Sequence, residues 1–147
     1  MLILGTKNTA SQAVLTDGVI SIGSVYRKYC RPTRTGFPTF ATTNQGITFN
    51  GDGMYHITAT FVGSGTEAGT VTVQLLENGD AVTGAISSET ITTANTELRT
   101  FVIDYYILVD STCVLNNRTT RAKTISFENT GVGATFTSVI VNAEKVV

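Results

Sequence analysis

The stretch Gly53-Met54-Tyr55-His56-Ile57-Thr58-Ala59-Thr60-Phe61 decides the fold, because apolar and polar side chains alternate along it. Apolar residues at every second position are typical of a β-strand with one face in a core and the other in solvent. The alternation recurs in Val71-Thr72-Val73-Gln74-Leu75, and the dipeptide Asn78-Gly79 that follows predicts a two-residue hairpin turn. The sequence therefore predicts antiparallel strands joined by short turns.

The composition favours β-structure along the whole chain. Its 147 residues include 27 threonines and 14 glycines but only 2 prolines, and the β-branched threonine side chain suits a strand better than a helix. A chain of this length matches one compact domain. A series of short strands separated by turn signals then predicts an all-β fold, an antiparallel sandwich of the jelly-roll type.

The N-terminal third departs from the regular pattern. We divide the chain into residues 1–35, an arm with the first strand, and residues 36–147, the jelly-roll domain. In the arm, Asp17-Gly18 between apolar residues predicts a hairpin turn. Residues 27–46 are locally basic and contain Gly and Pro, so we expect a long irregular loop there.

The charge pattern limits the classes of partner. Ten basic and eleven acidic residues leave a net charge of −1, so we expect neither nucleic-acid nor membrane-surface binding by the chain as a whole. No apolar run is long enough to span a membrane. One local cluster is basic, and we interpret it as a solvated or protein-docking loop, with a nucleic-acid contact as the weaker alternative. Its members are Arg27, Lys28, Arg31 and Arg34.

The residues that could carry catalysis are few. The single histidine, His56, lies on the polar face of its strand, so we expect an exposed side chain rather than a ligand or base. Cys30 and Cys113 lack metal-ligand spacing and are interpreted as buried thiols, with one disulfide as the alternative. We therefore expect no enzymatic activity, no cofactor and no metal site.

The longest apolar run, Leu98 to Val109, is β-branched and aromatic, which predicts a strand covered on both faces. Its one acid, Asp104, then lies at a subunit boundary or is paired, because an unpaired buried carboxylate is costly. Tyr105 and Tyr106 are adjacent and point to opposite faces. One therefore belongs to the core and the other to a subunit interface, unless both pack inside the protomer.

Two segments carry a resemblance to a known fold family. They are Gly53-Met54-Tyr55-His56-Ile57-Thr58-Ala59 and Val71-Thr72-Val73-Gln74-Leu75-Leu76-Glu77-Asn78-Gly79-Asp80-Ala81-Val82. Together they resemble the complement-type globular head of the tumour necrosis factor-like jelly rolls, in which a Gly-x-Tyr strand leads to a strand ending in Leu-x-x-Asn-Gly. The strand from Gly133 to Val141 resembles the closing strand of that fold.

A second resemblance covers nearly the whole chain. Val19-Ile20-Ser21-Ile22-Gly23-Ser24-Val25-Tyr26-Arg27-Lys28-Tyr29-Cys30, Gly53-Met54-Tyr55 and Val141-Asn142-Ala143-Glu144-Lys145-Val146 are similar to small virion proteins of tailed bacteriophages. This resemblance implies a homotrimeric head-decoration or head-fibre protein, made in the cytoplasm of a host bacterium and located on the capsid surface. The implied partners are further copies of the chain and the major capsid protein or another virion protein.

These observations lead to two functional hypotheses. The first is a non-enzymatic virion protein, anchored to the capsid exterior through residues 1–35. The second is an adhesion or receptor-binding module that recognises a cell-surface glycan or protein. The trimer-interface candidates are Tyr55, Phe101, Ile103, Tyr105 and Tyr106. The capsid-docking candidates are Leu2, Leu4, Arg27, Lys28, Arg31 and Arg34.

Overall fold

The structure is a computed structural model of the chain. It describes residues 2–30, 40–109, 111–114, 117–120 and 122–146, with side chains for 3–29, 40–109 and 122–146. The predicted domain boundary at residue 35 lies outside this part of the chain.

Within the described residues the chain forms fourteen strands and no helix. The strands are β1 Leu2–Asn8, β2 Gln12–Val14, β3 Gly18–Val19, β4 Ser24–Cys30, β5 Phe40–Thr42, β6 Gly46–Phe49, β7 Gly53–Gly65, β8 Gly69–Glu77, β9 Asp80–Ile91, β10 Arg99–Val109, β11 Ser111–Val114, β12 Asn117–Thr120, β13 Lys123–Asn129 and β14 Ala134–Lys145.

The strands form two six-stranded sheets and one small hairpin. We call the sheet with the order β10-β7-β14-β1-β4 the front sheet, in which β2 also pairs with β14. The back sheet has the order β5-β6-β13-β8-β9, with β3 pairing β13, and β11 pairs only with β12. All pairings are antiparallel. The predicted all-β jelly-roll sandwich is confirmed.

The core lies between the inner faces of the two sheets. Phe61 of β7 is fully buried at its centre, with its ring 5.1 Å from Phe127 of the back sheet and 6.1 Å from Phe136. Edge-to-face packing of this kind adds to the free energy gained from burying apolar surface. The alternation along β7 therefore places its apolar side chains in the core, as the sequence predicts.

Hairpin turns were predicted at Asn78-Gly79 and at Asp17-Gly18, and only the first of them joins two strands that pair with each other. Asn78 and Gly79 have φ values of 52° and 85°, and the turn joins the paired strands β8 and β9 as a hairpin. Asp17 also has a positive φ, 62°, but β2 and β3 on either side of it do not pair with each other. The hairpin prediction at Asp17-Gly18 is wrong, because this turn carries the chain from the front sheet to the back sheet.

The predicted loop over residues 27–46 is wrong at residues 27–30 and 40–42, which form strands. β4 extends to Cys30, where it pairs with β1, and β5 and β6 form an antiparallel pair in the back sheet. The remaining residues of this segment from 31 to 39 lie outside the described part of the chain. Backbone hydrogen bonding with β1 stabilises an extended conformation in spite of the basic side chains on β4.

One polar group is buried in the front sheet without a partner. Thr6 is fully buried, and its Oγ1 makes no hydrogen bond with any described residue. An unsatisfied buried hydroxyl costs free energy that a methyl group of the same size does not.

We therefore expect Thr6→Val to raise the free energy of unfolding by about 1–2 kcal/mol. Thermal unfolding measures this as a rise in Tm of roughly 2–4 °C per kcal/mol. Thr70→Val, at an exposed position of β8, is the control and should change Tm little. A Tm of Thr6→Val at or below that of the wild type would contradict the interpretation.

A single carboxylate organises the turn between β9 and β10. Glu97 Oε2 accepts hydrogen bonds from Thr92 N at 2.7 Å, Thr92 Oγ1 at 2.9 Å and Thr93 N at 2.9 Å, and Arg99 pairs with Oε1. The bonds from the backbone amides of Thr93 and Thr92 lower the pKa of Glu97 from 4.5 to about 2. The charged form of Glu97 therefore stabilises the folded chain.

The lowered pKa predicts a specific dependence on pH. The contribution of Glu97 is fully present above pH 4.5 and is lost as the pH falls towards 2, because the unfolded chain takes up the proton at a higher pH than the folded chain does. Glu97→Gln should lower Tm at pH 6 and have a much smaller effect at pH 2. Glu89→Gln on β9 removes a carboxylate elsewhere and is the control. An equal effect of Glu97→Gln at both pH values counts against this role.

Candidate functional site

The outer face of the front sheet carries the largest set of polar and aromatic side chains that face each other across strands. Strand register arranges them in three rows, each running from β10 to β4. The first row is Val102, Thr60, Ile140, Lys7 and Ser24. The second row is Asp104, Thr58, Asn142, Gly5 and Arg27. The third row is Tyr106, His56, Glu144, Ile3 and Tyr29. We call this surface the front face.

Apolar side chains are exposed along the β10 side of the front face. Val102, Tyr106 and Leu108 are each 54% exposed, and Met54 lies opposite Leu108 on β7. The inner side of β10 is buried, so the strand is covered on one face only. Within the protomer only one face of this strand is covered, so the predicted cover of the second face has to come from a neighbouring copy, and the outer side carries an apolar stripe.

His56 lies between Tyr106 and Glu144 in the third row and has a contact on three sides. Its Nε2 is 2.7 Å from Asp104 Oδ1, its Nδ1 is 3.9 Å from Glu144 Oε1, and its ring stacks on Tyr106 at 4.5 Å. An ionised carboxylate only accepts hydrogen bonds, so Nε2 donates to Asp104. His56 points outward as predicted. Asp104 is paired with it, which is one of the two alternatives considered, and its side chain is still 61% exposed.

The β1 and β4 side of the front face is basic and aromatic. Tyr26 lies over Gly5, where a Cβ atom would come within 2.8 Å of the Tyr26 ring and of Asn142 Oδ1. Its hydroxyl donates to Asn142 Oδ1 at 3.0 Å, and Lys7 Nζ lies 5.4 Å from the ring centroid, a cation–π contact. The glycine in β1 therefore allows the tyrosine to lie close against the sheet.

An irregularity in strand pairing places Tyr26 there. Gly5 pairs with Arg27 and Thr6 pairs with Val25, so Tyr26 is an extra residue in β4. A bulge of this kind bends the strand and redirects side chains. As a result, Tyr26 joins Arg27 on the front face rather than alternating with it.

A cleft of about 310 Å³ opens between the acidic and basic sides. Polar side chains form most of its wall: Arg27, His56, Thr58, Asn142 and Glu144. Ile3 and Ala143 complete the lining. The cleft has the size of a small-ligand site at the low end of the usual range.

The polar groups nearest to His56 in the described residues are acidic. Both nitrogens of His56 face carboxylates, Asp104 and Glu144. A histidine that acts as a base for a nucleophile needs a hydroxyl or thiol within hydrogen-bond reach. Among the described hydrogen bonds, none joins His56 to such a group.

Three of the five predicted interface residues lie in the protomer core. Tyr55, Phe101 and Ile103 are at most 2% exposed, so they have almost no surface left for a second copy. Tyr55 donates its hydroxyl to Gly51 O at 2.8 Å, and burial, followed by the charge of Asp52, raises its pKa to about 12. The interface prediction has to be revised for these three residues, because they point to the inner faces of their strands.

The remaining two predicted interface residues point to opposite faces of β10, as adjacent positions on a strand do. Tyr105 is half-buried and donates its hydroxyl to Glu77 Oε2 at 3.1 Å. Burial raises the pKa of Tyr105, and the hydrogen bond and charge of Glu77 raise it further. Tyr106 is exposed on the front face. The alternative in which both tyrosines pack inside the protomer therefore does not hold.

The predicted capsid-docking residues that the structure describes do not lie on one common surface. Leu4 is 1% exposed in the core and has no surface to offer a capsid, whereas Arg27 and Lys28 are both exposed on β4. Lys28 pairs with the inward-facing Leu4 and so lies on the opposite side of β4 from Arg27. The side chain of Leu2 and all of Arg31 and Arg34 lie outside the described residues.

Other sequence predictions concern groups that the structure describes only in part. The side chains of Cys30 and Cys113 lie outside the described set, so their redox state stays a prediction. Among the described residues, no three His, Cys, Asp or Glu side chains are grouped for metal binding. The described part of the chain also contains no helix with the length and hydropathy needed to cross a membrane.

Sequence reasoning missed several residues of the front face. Glu144 and Asn142 were noted only within a motif of the last strand, although their positions opposite His56 and Thr58 depend on strand pairing. Tyr26 is named there only within the segment from Val19 to Cys30 that is similar to phage virion proteins. Its place over Gly5 depends on a bulge, for which the local sequence carries no signal.

Comparison with known proteins supports the fold. The structure is similar to the globular domain of a zebrafish complement 1qA protein, with a TM-score of 0.61 and 7% identity, over 100% of this chain and 98% of that one. It is also similar to the Eiger TNF from S. frugiperda, with a TM-score of 0.63 and 11% identity, over 99% and 91% of the two chains. No protein-family model and no curated protein sequence matches the chain.

These similarities define the class to which the structure corresponds. The chain has the jelly-roll fold shared by complement-type globular heads and tumour necrosis factors. Because the sequence identities are low, the likeness concerns the fold alone, and the function has to be argued from the front face.

Proposed function

We propose that the chain is a non-enzymatic virion protein of a tailed bacteriophage, which forms a homotrimer through the front face and docks on the capsid exterior. The apolar stripe on β10 carries this proposal. Exposed apolar side chains grouped on one face are typical of an interaction surface, because burying them against a partner removes apolar area from water.

A second copy of the chain is the occupant that the front face fits. Val102, Tyr106 and Leu108 supply apolar and aromatic contact area, as the central part of a protein interface does. Acidic and basic side chains lie on opposite sides of the same face, so two copies present complementary charge to each other. The fold shared with complement-type and tumour necrosis factor domains and the resemblance to phage proteins support three copies in a closed ring.

Two features support docking on a virion. The segment from Val19 to Cys30 and the tail from Val141 to Val146 resemble tailed-phage virion proteins. In the same segment, the edge strand β4 carries Lys28 on the side away from the front face. A cation there remains accessible when the front face is covered and can pair with carboxylates of a capsid protein. Residues 1–35 therefore remain our candidate anchor.

Capsid binding tests this proposal directly. Deletion of residues 1–35 is unsuitable, because it removes β1, β2 and β4 from the front sheet and β3 from the back sheet. Purified wild type should sediment with capsids assembled without this chain, and Lys28→Glu should weaken that binding while the trimer persists. Lys145→Glu, a charge change near the end of β14, is the control. Absence of wild-type binding to such capsids would overturn the virion proposal.

The cleft favours one alternative function, a module that binds a cell-surface glycan. Sugars are bound by amides, hydroxyls and charged groups next to aromatic rings, and Thr58, Asn142 and Glu144 line the cleft beside the stacked rings of His56 and Tyr106. A copy that covers the front face also covers the cleft, so the two functions compete for this surface. A monomeric protein that binds on a glycan array, and loses binding on Asn142→Ala, would favour the alternative.

A further inference from the structure

We infer that Arg27 of one copy pairs with Asp104 of the next copy across the front face. This inference rests on the proposed assembly and deepens it, because it assigns the residues that set how the copies meet. The argument comes from how charge is distributed over the five strands of the front sheet.

The charges of the front face are separated by sign in strand order. Asp104 lies on β10 and Glu144 on β14, whereas Lys7 lies on β1 and Arg27 on β4. One side of the face is therefore acidic, and the other side is basic. An isolated protomer gains little from this separation, since exposed charges far apart on one surface are screened.

Arg27 and Asp104 cannot pair within one chain. They lie in the same row, at the ends of the register Asp104, Thr58, Asn142, Gly5 and Arg27. Four strand spacings of about 4.8 Å separate them by roughly 19 Å. Any energetic coupling between positions 27 and 104 therefore has to act between copies.

Both groups are available for such a contact. Asp104 is 61% exposed at its side chain, and its bond to His56 uses only one of its two carboxylate oxygens. Arg27 is exposed, and no ion pair within the described residues involves it. A guanidinium group that pairs with a carboxylate forms a charge-assisted, directional contact.

This charge pattern also favours a ring. Copies that meet through two unlike surfaces form a head-to-tail contact, and such contacts close into a ring when the rotation permits. In a ring, every copy offers its acidic side to one neighbour and its basic side to the other. If two copies meet in a wrong orientation, like charges lie opposite each other, which is strongly unfavourable. The pairing therefore also selects the register in which the copies meet.

Charge reversal with rescue tests the pairing. Arg27→Glu and Asp104→Arg each place like charges opposite each other, and each should raise the trimer dissociation constant by about 100-fold. The double variant restores opposite charges in the reverse sense and should return to within about tenfold of the wild type. Lys28→Glu makes the same change of charge on the other side of β4 and should leave the trimer intact.

A second pair of variants controls for misfolding, because Asp104→Arg also removes the hydrogen bond to His56. Arg27→Gln and Asp104→Asn remove the charges without reversing them, and circular dichroism checks that each variant keeps its β-structure. In a double-mutant cycle the two substitutions should be non-additive in their effect on dissociation. Additive effects together with a double reversal that fails to rescue would overturn the pairing.

The results of these experiments distinguish a failure of the Arg27–Asp104 pairing from a failure of the proposed trimer. If the wild type is a trimer but reversal at positions 27 and 104 does not change its dissociation, the inference fails and the proposed assembly stands. If the wild type is a monomer at all concentrations tested, the proposed assembly itself fails, and the inference with it.

Discussion

Replacing the exposed apolar stripe of β10 should convert the proposed trimer into a folded monomer. In the variant Val102→Thr, Tyr106→Thr, Leu108→Thr, the strand keeps β-branched residues, but the front face loses its apolar contact area. Burial of each such side chain contributes about 1.5–3 kcal/mol. Loss of three should raise the trimer dissociation constant by about three orders of magnitude or more.

Light scattering measures this change as a mass near 15.6 kDa in place of three times that value. The matched control is Leu15→Thr, Val19→Thr, Ile86→Thr, which removes three exposed apolar side chains elsewhere and should keep the trimer. Thermal unfolding confirms that both variants remain folded. A trimer that survives the β10 substitutions shows that another surface holds the copies together.

The second prediction with a large expected effect concerns the hydrophobic core rather than the front face. Phe61→Ala should lower the free energy of unfolding by about 3–5 kcal/mol, which is typical for truncating a fully buried aromatic ring. Phe61 is fully buried and lies close to Phe127 and Phe136. Because it joins the two sheets, the remaining side chains cannot close the cavity without moving a strand.

Urea unfolding followed by circular dichroism measures the loss as a lower midpoint. Val62→Ala is the control on the same strand, where the side chain is only half-buried, and its effect should be clearly smaller. Equal effects of the two substitutions would mean that the ring at position 61 is not the centre of the core.

The parts of the fold that sequence reasoning predicted are those set by local periodicity. Alternation places Phe61 inside and His56 outside, and Asn78 and Gly79 adopt the positive φ values that a hairpin turn of this type requires. The outward position of Tyr106 follows from the same period of two.

The missed parts depend on which strands become neighbours. Asp17 has a positive φ as a hairpin turn would require, but Gly18 does not, and β2 and β3 pair with distant strands in different sheets. The contact of His56 with Asp104 joins residues 48 apart in the sequence and follows only from the register of β7 and β10. Long-range pairing of this kind is not encoded in any short window of residues.

The interface predictions at Phe101 and Ile103 were wrong for a related reason. Phe101 and Ile103 belong to the longest apolar run, but they occupy its buried face, and only the opposite face has surface left for a neighbouring copy. The polar residues of the front face come from β10, β7, β14, β1 and β4, so they form one site only after the sheet is assembled. The sequence shows their chemistry, but it does not show that they lie together.

The native mass of the purified wild type tests the central claim most directly. The account predicts a mass near three times 15.6 kDa at micromolar concentration by light scattering or native mass spectrometry. A mass of 15.6 kDa that persists as the concentration is raised would contradict it, because the apolar stripe of β10 would then remain in solvent without a second copy to cover it.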